Sequence, residues 1–133
     1  MQLSVKKMSI YDDIGKIYSK SRVPDSRIVN SVVNLLRLSN KSTITDIGAG
    51  TGGYSRAIAD RGFYVYAVEP SSVMRSQSIP HPQVQSISGY AEDIPLPSAS
   101  VDAVIRILAI HHFSNLEKAI REMNRVAEKG AII

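Results

Sequence analysis

Four glycines within six residues limit what this chain can fold into more than any other feature. They lie in Thr45-Asp46-Ile47-Gly48-Ala49-Gly50-Thr51-Gly52-Gly53-Tyr54. A turn needs one or two glycines, so this density points to backbone brought close to a ligand. Ahead of the loop, residues 42–45, with Thr43, Ile44 and Thr45 β-branched, predict a strand. Behind it, residues 54–61, with Ala57, Ile58 and Ala59 inside, predict a helix. A strand, a glycine loop and a helix N-terminus together make a nucleotide-type pocket, with the first-turn N–H groups facing the ligand.

Gly48-x-Gly50-x-x-Gly53 also satisfies the dinucleotide fingerprint, which alone is a weak signal. Asp46, two residues before the first glycine, separates the two readings. A carboxylate there repels a pyrophosphate but suits a cationic amino group. In its acidic-x-Gly-x-Gly-x-Gly form the stretch resembles motif I of the class I S-adenosylmethionine (SAM)-dependent methyltransferases. That resemblance implies that Asp46 holds the cofactor's amino group, directly or through water. Gly48, Gly50 and Gly52 would let backbone approach the methionine part, with Ala49 beside them in the cofactor set.

With 133 residues and 44% hydrophobic content, the chain suits one domain with a core. The net charge of +4 comes from basic residues spread along the chain without a dense block, so nucleic-acid binding is not indicated. Zero cysteines exclude disulfides, thiolate metal sites and a cysteine nucleophile. No apolar run reaches the length of a membrane span, and no signal-peptide core is present, so a cytoplasmic protein is expected.

Near the N-terminus, Ile10, Ile14 and Ile17 recur at helical spacing. The resemblance adds that Tyr11, Tyr18 and Arg22 form a lid over the cofactor. Pro24-Asp25-Ser26-Arg27 starts a second helix, whose stripe of Ile28, Val32, Leu35 and Leu36 is expected to face a sheet. Residues 63–68 predict a buried second strand. It ends in Glu69, 21 positions after Gly48, close to the roughly 20 expected for a carboxylate that binds ribose hydroxyls. Pro70 joins that set, and Met74, in the helix that follows, either packs against the adenine or fills the core. His81, between two prolines, is expected to be an exposed loop residue.

Residues 84–88 predict an outer third strand. Gly89-Tyr90-Ala91-Glu92-Asp93-Ile94-Pro95 after it resembles the family's G-x-A-E/D-x-L-P segment, which implies that Ala91, Glu92 and Asp93 meet the adenine edge. Residues 101–107 predict the fourth strand, with Asp102 structural at its start. Arg106 departs from the small residue that many relatives carry. It could form a salt bridge, face the cofactor carboxylate or bind an acidic substrate group. His111 and His112 resemble the end of motif IV in the menaquinone/ubiquinone-like branch; either could be a general base, with His111 the catalytic candidate, or one orients the following helix while the other packs or is solvated. Adjacent histidines without a third ligand make a metal site unexpected. Ser114-Asn115-Leu116-Glu117 reads as a capping box. The helix behind it places Leu116, Ala119, Ile120, Met123, Val126 and Ala127 on one face, and residues 131–133 begin a strand.

The expected fold is a doubly wound, Rossmann-like α/β sheet of order 3-2-1-4-5, C-terminally incomplete against the family's seven strands. A single domain over 1–133 is expected, with N-terminal helices in 1–40 and the cofactor-binding core in 41–133. The expected function is SAM-dependent methyl transfer to a small-molecule or lipid-like acceptor. The alternatives are a non-catalytic SAM-binding or dimerising fragment and an NAD-binding oxidoreductase. An unpaired edge at strand four would favour a homodimer, unless residues 131–133 or a partner chain cover it.

Overall fold

The computed structural model describes residues 23–107, 114–128 and the backbone of 131–132. Five parallel strands run in the order β3-β2-β1-β4-β5. They are β1 (Thr43–Ile47), β2 (Tyr64–Val68), β3 (Val84–Ile87), β4 (Ala103–Ile105) and β5 (Ala131–Ile132). Helix α1 (Ser26–Leu36) precedes β1, while α2 (Gly53–Ala59), α3 (Ser72–Ser76) and α4 (Leu116–Val126) follow β1, β2 and β4. The expected strand order is therefore the observed one.

The period-two geometry of strands sorts side chains onto two faces. Ile44 of β1, Val65 of β2, and Ala103 and Ile105 of β4 pack with Val29, Val32 and Leu36 of α1 and Ile58 of α2. Ile47, Val68 and Val104 turn the other way, onto Ala119, Met123 and Val126 of α4. Helices cover both faces, so the sheet is doubly wound, and β1, flanked by β2 and β4, is buried along nearly its whole length.

The strand starts are pinned by Asp102. Its Oδ2 accepts from the Thr43 N–H at 2.8 Å, and its own N–H donates to the Thr43 carbonyl at 2.9 Å. This is the structural role expected of it. β4 is shorter than the sequence suggests, because Val101 pairs not within the sheet but in an isolated bridge with Ala127. β5 pairs with β4 through Val104–Ala131 and Ile105–Ile132. An edge at β4 therefore gives no ground for a dimer.

Several local expectations shift. The buried stripe of α1 is Val29, Val32 and Leu36, and Leu35 is 65% exposed. On α4, Leu116 is 54% exposed and Ile120 also faces outward. The N-cap of α4 is Asn115, whose side chain accepts from the Lys118 N–H at 3.1 Å. Glu117, expected to close a capping box with Ser114, instead pairs with Arg121 one turn on. His81 is held rather than free: Nε2 meets Asp60 Oδ1 at 2.8 Å, and Nδ1 accepts from the Gln83 N–H at 3.0 Å.

After β3 the chain turns at Gly89, where a Cβ would lie 2.7 Å from Pro95 Cδ and 3.1 Å from Val68 Cγ1. Glycine is required there by close approach. Gly89→Ala is expected to lose about 1–3 kcal/mol of stability, the usual cost of overpacking. Urea denaturation checks this, and an unchanged midpoint would show that the Pro95 loop yields freely.

Candidate functional site

The C-terminal ends of β1 and β2 carry the site. As β1 ends, the N–H groups of Gly48 and Ala49 both donate to the Val68 carbonyl, at 2.9 and 3.1 Å. The loop then coils back, with the Gly52 N–H donating to the Ala49 carbonyl at 3.0 Å. Gly48, Gly50 and Gly52 hold φ of 70°, 61° and 81°. A side chain in that left-handed region costs roughly 1–2 kcal/mol per residue, so three such positions in five demand glycine. Arg56 secures the far end by donating from Nη1 to the Thr51 carbonyl at 2.9 Å.

Glu69, buried at the end of β2, is the hub of this loop. One carboxylate oxygen accepts from the Gly50 N–H at 2.9 Å, the other from the Ser71 N–H at 2.8 Å. Arg75 donates to the Glu69 and Pro70 carbonyls at 2.7 and 2.9 Å, fixing the turn into α3. Ser71 caps α3 through the Met74 N–H. Met74 is buried, with its sulfur 3.9 Å from where a Cβ on Gly50 would stand, so it floors the glycine loop.

Asp46 is 2% exposed and lies on the α2 side of β1, where Ser55 Oγ donates to its Oδ2 at 2.6 Å. Burial pushes its carboxyl up from the ordinary 3.8 to about 7. The Ser55 hydrogen bond opposes that rise, and the Glu69 charge adds to it. A buried carboxyl poised between its two forms suits a site that takes up a positive charge.

The remaining candidates sit further along the same rim. Ala91 is buried and Asp93 exposed in the loop after β3. Glu92 Oε2 accepts from the Ser114 N–H at 2.8 Å, Ser114 Oγ at 2.6 Å and the Asn115 N–H at 3.3 Å. Arg106, just past β4, is 3% exposed; burial lowers its pKa to about 10, and the Glu92 charge opposes that shift.

The structure thus brings together Asp46, Gly48, Ala49, Gly50, Gly52, Glu69, Pro70 and Met74. It places Ala91, Glu92, Asp93 and Arg106 on the adjoining loops. Tyr11, Tyr18, Arg22, His111 and His112 lie outside the described residues. Sequence reasoning missed Ser55 and the partnership of Glu92 with Ser114 and Asn115, because both contacts join residues that only the fold brings together. Among the described residues, no three metal-ligating side chains cluster closely enough to hold a metal ion.

Comparison with known proteins converges on one family. The profile of the methyltransferase domain family Methyltransf_11 matches residues 45–133. An uncharacterized methyltransferase of Mycobacterium tuberculosis is 37% identical over 91 residues, covering 65% of this chain and 36% of that protein. A ubiquinone/menaquinone biosynthesis C-methyltransferase of Rubrivivax gelatinosus is 34% identical over 89 residues, with the same coverages of 65% and 36%. Among solved structures, a candidate methyltransferase from an antibiotic biosynthesis pathway of Anabaena variabilis superposes with a TM-score of 0.81. It is 62% identical, over 84% of this chain and 45% of that one. The chain spans about half the length, or less, of the relatives it matches.

Proposed function

We propose that this chain, which belongs to the class I SAM-dependent methyltransferase family, binds SAM over the ends of β1 and β2 and serves methyl transfer to a small-molecule or lipid-like acceptor. The observation that carries the proposal is the pair of carboxylates, Asp46 and Glu69, flanking a loop of three left-handed glycines at the ends of neighbouring strands. A buried carboxyl beside that loop opposes the double negative charge of a pyrophosphate and attracts an ammonium group, which favours SAM over NAD.

The residues fit the cofactor in kind. Asp46 takes the ammonium, and the cation's arrival favours its ionised form. A carboxylate offers about four lone-pair sites, so the backbone bonds of Glu69 are compatible with its accepting from ribose hydroxyls. Pro70 and Met74 supply apolar surface beside the loop, and Ala91 and Asp93 are the segment assigned to the adenine. When bound, SAM supplies an electrophilic methyl group on a sulfonium. The protein's part is to orient the two reactants and exclude water. His111 is the candidate base, and Tyr11, Tyr18 and Arg22 are the candidate lid, on sequence grounds. The small-molecule or lipid-like acceptor is favoured by the absence of an Asn/Asp-Pro-Pro-aromatic segment after β4 and by the quinone methyltransferase among the relatives. A cytoplasmic location completes the reading, which the cysteine-free sequence suits. We read residues 1–133 as one domain, with 41–133 as its cofactor-binding core; α1 packs into the core it covers.

Calorimetric titration with S-adenosylhomocysteine, with NAD as the control, tests the assignment. Micromolar binding of the first without the second is expected. Folded protein that binds NAD, or neither ligand, would reject it.

A further inference from the structure

The Glu92 carboxylate is held by hydrogen-bond donors from another part of the chain. Its Oε2 collects the N–H and hydroxyl of Ser114 and the N–H of Asn115, three donors on one oxygen. Those donors stand at the entrance of α4, an eleven-residue helix whose positive dipole end favours an anion. The charge of Glu92 also favours the charged form of Arg106, which is buried where the chain leaves β4. Three donors on one oxygen turn the whole carboxylate toward the entrance of α4. Charge-assisted bonds of this kind are the strong ones, so α4 sets the direction of this side chain.

We propose that Glu92 is a positioning residue that ties the loop after β3 to the entrance of α4, and that it does not itself read the adenine edge. The loop of Ala91 has a second tie at its far end, where Arg125 of α4 donates to the Ile94 and Leu96 carbonyls, each at 2.9 Å. The loop is thus fastened to both ends of α4, which fixes the position of its backbone. The inference rests on SAM as the cofactor for its ligand arm, and on geometry alone for its structural arm.

The test compares S-adenosylhomocysteine with S-inosylhomocysteine, which carries a carbonyl where adenine carries its amino group. Wild type, Glu92→Ala and Glu92→Gln are titrated with both, and amide hydrogen exchange is followed at residues 114–118. Glu92→Gln retains an acceptor oxygen without the charge, and far-ultraviolet circular dichroism confirms that each variant is folded. The tie predicts that Glu92→Ala weakens both ligands by the same factor, about tenfold, leaving their ratio unchanged. It also predicts that exchange at 114–118 accelerates about tenfold or more, with Glu92→Gln intermediate in both readouts. Collapse of the ligand ratio in Glu92→Ala, with exchange unchanged, would overturn the proposal and make Glu92 an adenine reader. If wild type binds neither compound, the cofactor assignment fails. The exchange measurement then decides alone, and unchanged exchange in Glu92→Ala overturns the tie.

Discussion

Replacing Asp46 by asparagine is expected to stabilise the folded chain at pH 8 while weakening S-adenosylhomocysteine binding at least tenfold. The buried carboxyl titrates at about 7 in the fold, against an ordinary 3.8. Between those values the folded state holds a proton that the unfolded state has released. Stability therefore falls as pH rises from about 4 to about 7, and is flat above that. At about 1.4 kcal/mol per pH unit, the ionised carboxylate costs up to about 4 kcal/mol. Asparagine avoids that cost but must place two N–H groups in the space, so a net gain of about 1–2 kcal/mol at pH 8 is reasonable. The gain should shrink as pH falls from 7 toward 4, which urea denaturation across that range would record.

Binding should move in the opposite direction. The ammonium of S-adenosylhomocysteine needs the ionised form of Asp46, so wild-type affinity should decline as pH falls below about 7. 5′-Methylthioadenosine has no ammonium and should bind wild type and Asp46→Asn alike at any pH. Equal loss of both ligands in the variant would mean that Asp46 shapes the loop and does not meet the charge. A buried acid kept at the expense of stability is the signature of a site.

What was legible in the sequence is what local pattern encodes. The glycine loop, Asp46 before it and Glu69 at the end of the next strand are short-range signals, and strand order follows from βαβ units. Helix phase was harder. Ile28, Val32 and Leu35 make as good a stripe as Val29, Val32 and Leu36, and only packing against Ile44 and Ile58 selects the second. The start of α4 shows the same limit. Ser114 and Asn115 are both good N-caps, and Ser114-x-x-Glu117 fits the capping box. Glu92, 22 residues away, takes the Ser114 hydroxyl and leaves the cap to Asn115. Ser55 was invisible for the same reason, since its partnership with Asp46 exists only once α2 lies on β1.

Glu69→Ala should cost both the loop and the ligand. Two backbone N–H groups, of Gly50 and Ser71, lose a charged acceptor, and each such bond is worth about 1.5–3 kcal/mol. Part of that is recovered from water at the rim, so a stability loss of about 2–4 kcal/mol is expected. S-adenosylhomocysteine affinity should fall about 30-fold or more, because the ribose acceptor and the preorganised loop disappear together. Glu69→Gln separates this account from simple ribose recognition. An amide can accept on one oxygen only, so its NH2 must confront either the Gly50 or the Ser71 N–H, donor against donor. The conservative substitution should therefore resemble alanine in both denaturation and titration. A glutamine variant with wild-type stability and affinity would show that one backbone bond suffices. The charge and the second oxygen of Glu69 would then be dispensable for both loop and ligand.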